Sequence, residues 1–106
     1  MQVITPGYKY LLENFQKSGY QTIQFLERGS ATPQTDSLQS LIVTINEGTT
    51  NEEMLAVLID RIAFLQNKFP CRENAIVLTK LEESLMWLNK RTEDRKARGV
   101  LGTNVK

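Results

Sequence analysis

Residues 50–99 read TNEEMLAVLIDRIAFLQNKFPCRENAIVLTKLEESLMWLNKRTEDRKARG, and this stretch decides the fold. Thr50-Asn51-Glu52-Glu53 is a capping box, in which the threonine hydroxyl accepts from a backbone N–H and Glu53 reaches back. From there Leu55, Leu58, Ile62, Leu65 and Phe69 recur in steps of three and four, the apolar stripe of an amphipathic helix. Pro70 stops that helix at Lys68 or Phe69, because proline offers no N–H to continue it. A second helix begins near Cys71 to Glu73, and Leu78, Leu81, Leu85 and Leu88 repeat the spacing. Lys90, Arg91, Arg95, Lys96 and Arg98 fall in its last part, where the helix dipole favours cations, and Gly99 is a natural stop. The link Lys68 to Arg72 is short, so the helices are expected as antiparallel neighbours in a hairpin.

Upstream the pattern changes near Gly48. Tyr20 to Leu26 (YQTIQFL) alternates as a strand, and Tyr8 to Phe15 (YKYLLENF) reads as a second one because tyrosine favours sheet and the run is short. Glu27-Arg28-Gly29-Ser30 reads as a turn, Ala31 to Gln34 as loop, and Leu38 to Ile45 (LQSLIVTI) as a third strand ended by Asn46-Glu47-Gly48. Three such strands predict a small antiparallel sheet with one face to be covered. The expectation is an α+β fold in a single domain, residues 1–106, with a β-rich part over 1–48 and the hairpin and a short tail over 49–106.

Composition narrows the chemistry. The chain has 106 residues, 13 Lys+Arg against 12 Asp+Glu, no histidine and one cysteine. A His/Cys zinc site within one chain is excluded, as is a Cys-His or Ser-His catalytic couple. A net charge of +1 gives no general basic signature for DNA or RNA. No apolar run approaches the roughly 20 residues that span a bilayer, and the N-terminus does not read as a signal peptide. Glu82-Glu83 is a pair in sequence only, since adjacent helix positions point apart. No Gly-rich phosphate loop is present. These features point to a cytoplasmic protein that binds rather than catalyses.

Some residues are left over by the hairpin. Phe64 lies about 140° from the centre of the first stripe, and Val57 shares its back face. Ile76 and Trp87 are off the second stripe in the same way. Either the sheet or a second copy covers them, or Phe64 is a platform on which a base stacks. Arg72-Glu73-Asn74 puts a cation, an anion and an amide at a helix N-terminus, where free N–H groups suit an anion. Cys71 reads as a small buried hydrophobe. Along Lys90 to Gly99, Glu93 pairs with Lys96 and Asp94 with Arg98 in a solvated helix end, or one arginine there grips phosphate.

The run from Cys71 to Leu88, followed by Lys90-Arg91-Thr92 and Arg98-Gly99-Val100-Leu101-Gly102-Thr103, resembles the Thoeris anti-defence protein 1 family of phages, whose hairpin is shared with the phage anti-CBASS protein 2. The likeness covers about residues 49–103, including Thr49-Thr50-Asn51-Glu52-Glu53, and extends weakly into Gln21-Thr22-Ile23-Gln24-Phe25. The C-terminal motif is specific; the β part alone is not.

The resemblance implies a sponge and not an enzyme. It would sequester a cyclic ADP-ribose isomer, glycocyclic ADP-ribose, intact between protomers in the cytoplasm of the infected bacterial host, as a dimer or hexamer, and so silence Thoeris. It implies no cofactor. By the family pattern Phe64 stacks on adenine, Asn74 supplies an amide, Arg91 closes over the ligand from a neighbouring protomer, and Arg72 belongs to a second, cyclic-oligonucleotide site. A basic residue of the β part contacts phosphate, with Lys9 preferred and Arg28 its rival. The alternatives are a sponge for CBASS cyclic di- or trinucleotides, a non-catalytic assembly or regulatory protein, and a cyclic-nucleotide hydrolase, for which no suitable residues are found.

Overall fold

The computed structural model describes residues 1–30, 42–101 and 106. They form two compact units, Met1–Thr50 and Asn51–Leu101. The expected loop over Ala31–Gln34 and the first part of the expected strand, Leu38–Leu41, lie outside the described residues.

In the first unit β1 (Gln2–Thr5), β2 (Lys9–Glu13) and β3 (Tyr20–Gln24) make an antiparallel sheet in the order β1-β2-β3. Tyr8 N–H donates to Thr5 O at 2.9 Å across the first turn, which Gly7 enters at φ +82°. The register sets Tyr10 opposite Ile23, and Tyr10 meets Phe25 edge to face with ring centres 5.9 Å apart. A separate antiparallel pair joins β4 (Glu27–Ser30) to β5 (Ile42–Asn46). The segment Glu27–Ser30, expected as a turn, is therefore a strand. It pairs through backbone, and Gly29 leaves the room that Ile45 Cδ1 takes, 2.5 Å from where a Cβ would stand. β1, not anticipated, is a four-residue edge strand.

Thr49 straps the end of β3. Its N–H donates to Gln24 O and its carbonyl accepts from Leu26 N–H, both at 2.8 Å. The chain therefore passes the β3 backbone so closely that a Cβ on Gly48 would stand 2.5 Å from the Phe25 carbonyl carbon and 2.6 Å from Gln24 O.

The second unit is the expected antiparallel hairpin, α1 (Asn51–Lys68) and α2 (Arg72–Ala97). Phe69, Pro70 and Cys71 separate the helices, and Cys71 is the N-cap of α2, its sulfur accepting from Asn74 N–H at 3.4 Å. Gly99 at φ +72° closes α2 in a Schellman arrangement: Gly99 N–H donates to Lys96 O and Val100 N–H to Arg95 O. Leu78, Leu81, Leu85 and Leu88 are all half-buried, on a seam that Asn74 and Thr92 extend. On α1 the half-buried apolar residues are Met54, Leu55, Ile59, Ile62, Ala63 and Leu65. Leu58 and Phe69, expected on the core stripe, are exposed at 42% and 67%. One partner helix covers a narrower arc than the full apolar stripe, so its flank stays in water. No apolar side chain among the described residues is fully buried, and no helix among them is long and apolar enough to cross a membrane.

The Gly48 constraint is testable. Gly48→Ala pushes a methyl into backbone that cannot yield, and is expected to lower stability by about 1–3 kcal/mol, read as an earlier urea midpoint by circular dichroism. An unchanged midpoint would show that the strap is looser than the structure has it.

Candidate functional site

The residues singled out in the sequence fall into three places. Phe64, Arg72 and Asn74 lie at the closed end of the hairpin, Phe64 one turn before the end of α1 and the other two in the first turn of α2. Arg91 is 17 residues beyond Asn74 on α2, about 26 Å along the axis at 1.5 Å per residue. Lys9 belongs to the other unit, on β2 between Thr5 and Gln24, half-buried and with no ion pair or hydrogen bond to its ammonium among the described residues. Its rival Arg28 is engaged, donating from Nη2 to Ile42 O at 3.4 Å.

Phe64 is 59% exposed and points away from the seam, as its position on the back of the stripe requires. It ends an open groove of about 550 Å³ along the outer face of α1, lined by Glu53, Ala56, Val57, Asp60, Arg61 and Phe64. These positions step by three and four along one side of the helix, so an aromatic, small apolar side chains and three charges share one strip of surface. Asp60 and Arg61 did not stand out in the sequence, although their spacing of four and three from Phe64 places them beside it. A second groove of about 460 Å³, lined by Ile59, Glu82, Leu85, Met86 and Asn89, follows the seam between the helices.

At the start of α2 the exposed Cys71 is held from both sides, its N–H donating to Gln66 Oε1 at 3.0 Å while its sulfur caps Asn74. It is a surface cap, not the buried hydrophobe expected of it. Arg72 is exposed and Asn74 half-buried on the seam, so the two point differently from one helix turn. At the far end the expected pairs are present, Lys96 to Glu93 at 4.0 Å and Arg98 to Asp94 at 3.1 Å, both well exposed. Arg95 departs from a purely solvated tail. It is only 8% exposed, and its Nη2 donates to Val100 O at 3.1 Å, tying the chain after Gly99 back to the helix. Its place on the leucine seam, seven residues after Leu88, was the signal in the sequence. Trp87 and Ile76 are exposed, with Lys90 Nζ 5.9 Å from the Trp87 ring centre. Among the described residues no three metal-ligating side chains gather.

Comparison with known proteins gives two findings. The family model described as the Acb2/Tad1 hairpin domain matches residues 22–93, which takes in Phe64, Arg72, Asn74 and Arg91 and leaves out Lys9. A curated relative, "Thoeris anti-defense 1" of Bacillus phage SBSphiJ7, is 57% identical over 60 residues. That stretch is 56% of this chain and 42% of the relative, so the match spans less than half the relative's length.

The cap at Cys71 yields a prediction. Cys71→Ala removes the side-chain acceptor for Asn74 N–H and is expected to cost about 0.5–1 kcal/mol, while Cys71→Ser, a better cap, restores or exceeds the parent stability. Denaturant melts of the three proteins decide it; an alanine variant as stable as the serine one would mean that the sulfur does not cap.

Proposed function

The chain belongs to the Acb2/Tad1 hairpin-domain family, and from that membership we propose that it is a phage anti-defence sponge, a protein that binds glycocyclic ADP-ribose and holds it unchanged so that Thoeris immunity is not triggered. The relative carries the Thoeris anti-defence name, and the proposal gives this chain the same role in the cytoplasm of the infected cell. No covalent step is required of the protein: sequestration needs affinity alone.

The observation that carries this reading is Phe64, an exposed aromatic in a groove that hairpin packing does not use. A purine stacked on it gains about 1–3 kcal/mol. Asn74, at the same end of the hairpin, offers a donor and an acceptor for the base edge. Arg91 adds charge for the diphosphate and a plane for stacking. The distance along α2 supports its coming from another copy, because about 26 Å separates it from Asn74 in one chain, longer than a single small nucleotide. The functional form is accordingly a homo-oligomer, dimer or hexamer, in which the exposed Val57, Ile76 and Trp87 find cover. Arg72 and Lys9 are assigned to phosphate, Arg72 at a second nucleotide site. Holding a dilute signal at about 10 nM takes about −11 kcal/mol, which stacking, amide and arginine contacts supply only together.

Calorimetric titration with glycocyclic ADP-ribose, followed by heating the complex and mass spectrometry of what is released, tests the proposal. Nanomolar binding and an unaltered ligand are expected. Phe64→Ala and Arg91→Ala each weaken binding about 10- to 100-fold with the oligomer intact by light scattering. Absence of binding overturns the ligand and turns attention to cyclic di- and trinucleotides; a chemically altered ligand makes the protein a hydrolase; loss of assembly in both variants makes the two residues structural.

A further inference from the structure

Beside Phe64 the groove carries Asp60 and Arg61, which no role yet explains. Asp60 is four residues before Phe64 and Arg61 three, so at 100° per residue they sit about 40° to one side of it and about 60° to the other. Each is one turn toward the N-terminus, with Cβ atoms about 5–6 Å from that of Phe64. The aromatic is thus flanked by a carboxylate on one side and a guanidinium on the other. Neighbours in sequence point apart, so the two cannot pair with each other. Neither side chain has an ion pair or hydrogen bond among the described residues. Aspartate is also a poor residue for a helix interior unless it caps or pairs, and in α1 it does neither.

The charge of the groove then limits how a nucleotide lies in it. Its lining holds two acids, Glu53 and Asp60, against one base, Arg61. A diphosphate laid along the acidic side would meet like charge. An ionised carboxylate is an acceptor only, so what Asp60 can hold is a group that donates: an exocyclic amine or a ribose diol. A guanidinium takes phosphate oxygens in a fork. We propose that Asp60 is a specificity residue that accepts hydrogen bonds from the sugar hydroxyls or base amine of the ligand stacked on Phe64, and that Arg61 on the other flank turns the diphosphate away from it. The pair fixes the direction of the nucleotide along α1. This assignment rests on Phe64 being the stacking residue.

The sign of one substitution separates this role from a solvated surface acid. Asp60→Asn removes a negative charge from an anion-binding site, so a bystander would leave affinity for glycocyclic ADP-ribose unchanged or raise it. An acceptor that loses half its capacity lowers it, by about 5- to 20-fold. Arg61→Ala is expected to lower affinity about 10-fold and to reduce its dependence on salt, while Asp60→Asn keeps the parent salt dependence. Titrations of the parent, Asp60→Asn, Arg61→Ala and Phe64→Ala at two salt concentrations give all of these, with melting curves to verify that each variant is folded. If Phe64→Ala weakens binding and Asp60→Asn does not, the assignment of Asp60 is overturned and the stacking role stands. If the parent does not bind, or Phe64→Ala binds as the parent does, the stacking role fails first and this assignment falls with it.

Discussion

The seam between α1 and α2 is the constraint on which the helical unit depends. Two helices alone share one contact, and each offers it a single strip: Leu55, Ile59 and Ile62 on one, Leu78, Leu81, Leu85 and Leu88 on the other, none more than half-buried. No apolar side chain of the pair is sealed from water, so no single one carries the fold. The ends matter correspondingly more. Cys71 caps one end of α2 with its sulfur, and at the other Gly99 turns the chain so that Val100 can bond back to Arg95. Where burial is small, the stabilisation from satisfying the backbone groups at helix ends is a larger share of the total.

The same constraint leaves most of each helix surface open. With one strip of each helix used, the remaining faces must be polar, covered by another copy, or kept for a ligand. α1 spends its outer face on a groove that mixes Phe64 with Asp60 and Arg61, a composition unlike that of a pure protein contact, whose centre is depleted in charge. α2 leaves Ile76, Val77, Met86 and Trp87 exposed, and Lys80, Glu83 and Lys90 follow Ile76 and Trp87 along one side at steps of three and four.

Much of the helical unit was legible because its signals are local and covalent. Pro70 has no N–H, Gly99 tolerates positive φ, and leucines at three and four must share a face; none of this needs tertiary context. Leu58 and Phe69 went astray for the opposite reason. Whether a flank of a stripe is covered depends on the arc of the partner, which one helix does not encode, and Ile59, not Leu58, is the residue that arc reaches. In the β part β4 was missed because Glu-Arg-Gly-Ser has turn composition, yet its pairing runs through backbone and uses Gly29 as a seat for Ile45. The strap at Gly48 was equally hidden, since a glycine needed for close approach looks like one needed for a turn. Of the candidate site, Phe64 was visible as a misfit to its own stripe. Asp60 and Arg61 were not, because a charged pair on the outer face of a helix is what solvent alone would also select.

A half-buried hairpin has a thermodynamic consequence for a sponge. Its own seam supplies little stability, and anything that binds only the folded state adds RT ln(1 + [L]/Kd), about 2.7 kcal/mol at a hundredfold excess over Kd. Under the proposed function the ligand and the second copy both act in this way, and both use faces that the seam leaves open. Part of the affinity is then spent on ordering those faces, so a variant that rigidifies the hairpin without touching the groove should gain affinity as well as stability. Under that proposal binding and folding are one linked equilibrium, and the apolar surface left exposed among the described residues is where the linkage would act.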